Sequence, residues 1–162
     1  MDRHELLVLH RNINQGEQMK INIYILTTNH RPRADDGKYM YVLEAEGKDI
    51  TKDHKAAVLL QTPNETYLTA IESAVARINQ PSQITIYLDS EYMTNALNNW
   101  LPVWKVNGWR TKKGRQIRNI NKWQKAAELL SKHQYKAEYS NKHTYYDWMK
   151  NELRKGYEKH ST

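Results

Sequence analysis

Between Glu91 and Glu128 the chain carries Lys105, Arg110, Lys112, Lys113, Arg115, Arg118, Lys122 and Lys125 and not one acidic residue, and Trp100, Trp104, Trp109 and Trp123 lie among them. Ammonium and guanidinium groups pair with phosphate oxygens and indole faces pack on sugars and bases, so this mixture in one segment points to a nucleic-acid surface. Taken singly, indoles at helical spacing read as core and a basic run reads as a solvated face. It is their combination that favours binding. The net charge is +7, which these cations alone outweigh, so the rest of the chain is close to neutral. The basicity is local, as a docking face requires.

The elements that must position these residues follow from the same stretch. Pro102 suits the first turn of a helix, Trp100 and Trp104 then stack one turn apart, and Gly108 ends that helix as a left-handed cap before Trp109. Asn119 is expected to cap a second helix that runs through Trp123. The product is two short helices joined by a basic loop, with indoles wedged between them. Upstream, Met19, Ile21, Ile23 and Ile25 alternate with Lys20, Asn22 and Tyr24, the pattern of a strand with one buried face. After a turn at Asp35-Asp36-Gly37, Tyr39, Tyr41 and Leu43 predict a second strand, and Ala56 to Leu60 a third.

The run from Trp100 to Gln124 resembles the basic protrusion, or handle, of type 1 ribonuclease H: W, three residues, WK, two residues, GW, a lysine-rich loop, then N, two residues and WQ. The likeness extends to Ile84–Tyr92, similar to the family's fourth strand and the start of its second helix. It also takes in Gln18–Thr28 as first strand, Asn64–Ile78 as first helix, Tyr135–Tyr139 as fifth strand and Thr144–Lys159 as closing helix. The resemblance implies a three-layer α/β fold with a mixed five-stranded sheet, helices on both faces and a basic handle. It spans residues 17 to 162, with residues 1 to 16 as an N-terminal extension.

The family cleaves the RNA strand of a hybrid with two divalent ions held by four carboxylates. Laid onto this sequence, those positions fall on Leu26, Tyr67, Asp89 and Asn151, so only Asp89 keeps the acid. The segment Ile21–His30 holds no acidic residue that a shifted register could supply. Glu65 and Glu72 sit about 160° and 140° around the helix from Tyr67, while Asp147 lies one turn before Asn151. Asp89 with Asp147 would hold one loosely bound ion at most, and the default reading of these acids is exposed carboxylates. Leu26 shares parity with Tyr24, as Asp89 does with Tyr87, so both project to one sheet face if the strands are neighbours.

The family's binding positions are better kept. Thr62 and Asn119 match the residues that cradle a DNA phosphate, and Asn64 matches the one that reads the minor groove. Helix capping is the ordinary role of these residue types. Pro63 and Glu91 replace two further minor-groove residues, and His143 stands near the family's mobile His, where a lone surface His is usually incidental. The resemblance thus implies catalysis at none of its usual positions and nucleic-acid contacts through Thr62, Asn64, Trp100, Trp104, Lys105, Trp109, Arg110, Lys112, Lys113, Arg115, Arg118 and Asn119.

The expected function is non-catalytic binding of RNA/DNA hybrid or double-stranded RNA, with annealing or strand exchange as a physical consequence. No cofactor is expected. The alternatives are a residual hybrid endoribonuclease, for which magnesium or manganese would be needed, and a protein-docking scaffold. With 162 residues and no cysteine, one domain is expected to fold without disulfides. No signal peptide or membrane span is visible, which suits the cytoplasm. Leu6 to Leu9 suggest an added strand or a homodimer contact.

Overall fold

A computed structural model describes residues 18–48 and 51–160, with side chains as far as residue 155. The extension 1–16, with Leu6 to Leu9, lies outside the described residues. Strands β1 (Met19–Thr27), β2 (Asp35–Ala45), β3 (Thr51–Gln61), β4 (Ser82–Leu88) and β5 (Gln134–Tyr139) form one sheet in the order β3-β2-β1-β4-β5. The β1–β2 and β2–β3 pairs are antiparallel, whereas β1–β4 and β4–β5 are parallel. The parallel pairs need crossovers. Helix α1 (Pro63–Val75) leads into β4, and the segment between β4 and β5 holds α2 (Glu91–Asn95), a π-helical turn (Ala96–Trp100), α3 (Leu101–Val106) and α4 (Ile120–Leu130). Helix α5 (Tyr146–His160) closes the chain.

Period-2 alternation on β1 divides the protein into layers. Ile21, Ile23 and Ile25 join Leu68, Ile71 and Ala74 of α1 and Trp123, Ala126 and Leu130 of α4 in the larger core. Tyr24 and Leu26 point the other way and pack with Met40, Val42, Met149 and Leu153, which brings α5 onto the second face. Burying each large aliphatic side chain contributes about 1.5–3 kcal/mol. Trp123, 2% exposed, is the largest single commitment, and truncating it to Ala should cost about 3–5 kcal/mol.

Asp35-Asp36-Gly37 is not a turn. These residues open β2, where the register with β3 slips between Asp35 and Gly37, and the chain reverses before them at 31–33. The cause is buried Asn29, whose Nδ2 donates to Gln61 O at 3.0 Å and to Thr66 Oγ1 at 3.2 Å, tying three loop ends together. A Cβ on Gly37 would stand 1.5 Å from Asn29 Oδ1, so only glycine lets the strand pass. The same carboxyl end of the sheet carries Asp89.

Candidate nucleic-acid interface

The basic segment is built as a projecting turn. Pro102 sits in the first turn of α3, and Gly108, at φ +69°, ends the helix as its spacing predicts. Trp109 follows at φ +61°, a region rarely taken by a bulky residue, and its N–H donates to Trp104 O at 2.9 Å. Thr111 and Arg115 then close a small loop. Thr111 N–H donates to Arg115 O at 2.8 Å, Gly114 N–H to Thr111 O at 2.9 Å, and Arg115 N–H to Thr111 Oγ1 at 3.0 Å. Arg110 Nη1 donates to Gly114 O at 3.2 Å from the side. Lys112 and Lys113 occupy the corner, and Lys105, Arg110, Arg115 and Arg118 are exposed around it.

The indoles divide by burial. Trp104 meets Trp123 edge to face at 5.3 Å, joining α3 to α4, and Trp109 packs on the same core. Trp100 and Trp104 touch at 6.3 Å with planes tilted by 42°, a contact rather than the stack expected. Trp100 is 39% exposed and is braced by Tyr92 at 5.2 Å. Core packing therefore accounts for three of these four indoles, and Trp100 is the one that offers a face to a ligand.

At α1, Thr62 is the N-cap: its Oγ1 accepts from Glu65 N at 3.2 Å while Glu65 Oε1 accepts from Thr62 N at 2.8 Å, a reciprocal capping box. That engagement uses Glu65. Asn64 lies inside the first helical turn and is half-buried, so capping does not explain it. Asn119 departs from expectation: it precedes α4 in the left-handed region, φ +62°, and makes no side-chain cap. Lys122 Nζ donates to Thr69 Oγ1 at 2.9 Å, fastening α4 to α1.

Asp89 stands at the end of β4, level with Leu26, because Tyr24 pairs with Tyr87 two residues earlier in each strand. Tyr67 Oη donates to Asp89 Oδ1 at 2.6 Å, and Tyr146 Oη donates to Oδ2 at 3.3 Å. Burial, and then the charge of Asp89, push the Tyr67 phenol far above its ordinary value, so it remains a donor. Leu26 is 3% exposed and packs on Met149 and Leu153.

The two-ion centre of the resembling family does not fit these residues. Both Asp89 oxygens accept phenol hydrogen bonds, its neighbour is a hydrocarbon, and the described residues contain no group of three or more His, Cys, Asp or Glu placed to hold a metal. Asn151 and Asp147 share an exposed side of α5, where Asn151 Oδ1 accepts from Arg154 at 2.7 Å. The residues of α5 that line the cavity beside Asp89 are Tyr146, Lys150, Leu153 and Arg154.

The RNase H family model matches residues 28–153, well over half of the chain. The chain belongs to the RNase H family. A ribonuclease H of Albidiferax ferrireducens is 34% identical over 83 residues, 51% of this chain and 56% of that protein. The chain thus spans little more than half the length of that curated relative. A type 1 ribonuclease H with the type 2 active-site motif superposes with TM-score 0.69 at 16% identity, over 88% of this chain and 74% of that one. The foamy viral protease-reverse transcriptase in complex with an RNA/DNA hybrid superposes with TM-score 0.58 at 16% identity, over 90% of this chain and 22% of that one. At such identities the likeness is one of fold. Among the described residues, no helix is long and apolar enough to cross a membrane.

On this ribonuclease H scaffold the second sheet face carries a cluster that sequence reading missed. Glu44 Oε1 accepts from Asn22 Nδ2 and from Tyr24 Oη, both at 3.0 Å, and its Oε2 accepts from Tyr145 Oη at 2.8 Å. Tyr24 stacks on Tyr87 at 4.7 Å and meets His143 at 4.5 Å. His143 is therefore a half-buried member of an aromatic group and not an incidental surface residue. Its Nδ1 accepts from Tyr145 N at 3.2 Å, and burial holds its pKa below the usual histidine value, against the opposing charge of Asp89. The adjacent tyrosines Tyr145 and Tyr146 at the start of α5 were the available signal.

Proposed function

We propose that this chain binds RNA-containing duplexes, RNA/DNA hybrid or double-stranded RNA, without cutting them. The observation that carries the reading is the 2.6 Å hydrogen bond from Tyr67 to Asp89, which spends on a phenol the oxygen that a hydrolytic ion would need. Leu26 beside it removes the second anion. Binding is supported by Lys112 and Lys113 at the corner of a hydrogen-bonded turn, ringed by Lys105, Arg110, Arg115 and Arg118, and by a fold neighbour solved with an RNA/DNA hybrid. Cations spread along a bound backbone lower phosphate repulsion between strands, so annealing or strand exchange follows from the same surface. The cytoplasm is the compartment we assign to this activity.

Labelled hybrid and duplex RNA incubated with the protein in magnesium, manganese or EDTA test the proposal. Binding is expected in all three, with chelation leaving affinity nearly unchanged and no cleavage above background. Cleavage that rises with either ion and disappears in Asp89→Asn overturns it.

A further inference from the structure

Beside Asp89 a cavity of about 1010 Å³ opens between the carboxyl end of the sheet and α5. Its inner wall is apolar, with Leu26, Val58 and Leu153, and Lys38, Lys150 and Arg154 line it from β2 and α5. Lys38 Nζ donates to Leu153 O at 2.7 Å, which holds the ammonium between strand and helix. Burial, with Lys55 nearby, lowers the Lys38 pKa, the sign expected of a cation that an anion would stabilise. Lys150 Nζ lies 5.4 Å above the ring of Tyr146, the residue that donates to Asp89.

The acids around this cavity have donors of their own. Asp89 is taken by two phenols, Asp36 Oδ1 accepts from Leu60 N at 3.0 Å, and Asp35 accepts from Asp36 N at 2.9 Å and faces Arg33 at 4.0 Å. The position where the family's chemistry calls for a cation site has thus become a cavity whose carboxylates are occupied and whose long side chains are cationic.

We propose that this cavity seats a phosphodiester of the bound strand on Lys38, Lys150 and Arg154, with no divalent ion. The inference rests on the duplex-binding reading and deepens it. Asp89 directly precedes the Ser90 cap of α2, and the basic segment lies further along the same connection between β4 and β5. A duplex engaged by both would meet cations at two places, one exposed and one recessed. Ammonium and guanidinium groups replace the ions that would otherwise hold the strand, and because nothing activates water the phosphodiester is gripped and left intact.

A short RNA/DNA hybrid, held in EDTA, provides the test, together with a series in which a single methylphosphonate replaces one phosphate at successive positions of each strand. Parent protein, Lys150→Ala/Arg154→Ala and Lys150→Arg are compared, with circular dichroism to establish folding. The double variant should reduce the salt slope by roughly 1 to 2 units, near 0.9 per lost contact, and Lys150→Arg should retain most of it. One methylphosphonate position should weaken the parent and have no further effect in the double variant, because the two changes remove the same contact. If the parent binds and the folded double variant keeps its slope, or the two losses add at every position, the seat is refuted while duplex binding stands. If the parent binds neither hybrid nor duplex RNA, the functional reading falls and the seat falls with it. Affinity that rises with magnesium and loses that rise in Asp89→Asn shows an ion in the cavity and also refutes the seat.

Discussion

Tyr67 and Asp89 define the chemistry at the scale of single residues. A carboxylate oxygen that accepts a 2.6 Å hydrogen bond from a buried phenol has a neutral donor where a cation would otherwise sit. Tyr67→Phe keeps the ring and deletes the donor, and hydrogen bonds to charged groups contribute about 1.5–3 kcal/mol. Thermal denaturation should therefore show a loss of roughly that size, while magnesium still supports no cleavage. Leu26→Asp should likewise gain no activity, since it restores one of three missing acids and cooperating ligands are not recovered singly. Magnesium-dependent cleavage by Tyr67→Phe would mean that the phenol was the obstacle, and cleavage by Leu26→Asp that one restored acid suffices; either result overturns the reading.

Elements explain why some of this was legible in the sequence and some was not. The handle was legible because Pro102 and Gly108 state where α3 begins and ends, and strand parity places Leu26 and Asp89 on one face. The phase of α5 was not legible from family alignment alone, which settles on Asn151. Met149 and Leu153, buried one turn apart, fix the inward side, and at about 100° per residue Asn151 lies roughly 200° from each. That apolar pair was the signal that brings Tyr146, Lys150 and Leu153 to the cavity. Asn119 failed as a cap for a different reason: the basic loop enters α4 through a left-handed residue, a long-range closure that no local propensity encodes. For the handle itself, replacing Lys112, Lys113, Arg115 and Arg118 with Ala should leave folding intact, because all four are exposed. It should weaken every duplex about equally and lower the salt slope by up to roughly 3 to 4 units. A folded quadruple variant that binds like the parent makes the handle a relic and turns the search to a protein partner. Asn64→Ala should act on composition instead, costing more affinity for RNA-containing duplexes than for DNA, since its position suits a 2'-hydroxyl contact. Equal losses on both would remove Asn64 from RNA selection.

At the scale of the whole molecule, one half-exposed carboxylate adds to the packing that joins the layers. Glu44, on β2, accepts hydrogen bonds from Asn22 and Tyr24 of β1 and from Tyr145 at the approach to α5, so it joins two neighbouring strands to the layer that covers them. Burial alone would raise its pKa, but the three donors outweigh it and the net shift is downward. Tyr145, raised by burial and by this bond to about 12, stays a donor throughout the neutral range. A carboxyl whose folded pKa lies below its unfolded value adds stability that is complete above the unfolded value and is lost as pH falls through the folded one. The parent should thus lose this contribution on acidification from neutral pH to below the carboxylate range. Glu44→Gln, which does not titrate, should begin less stable at neutral pH by roughly 1–2 kcal/mol, a figure already reduced for partial exposure. Its deficit should shrink toward zero in acid. Urea denaturation of both proteins at neutral pH and near pH 3, the latter a round figure below the ordinary carboxylate range, reads the difference directly. A deficit that persists unchanged in acid would show that the ionised carboxylate does not bind the layers together, and the second face would then rest on the packing of Met149 and Leu153 and on bonds such as Lys38 Nζ to Leu153 O.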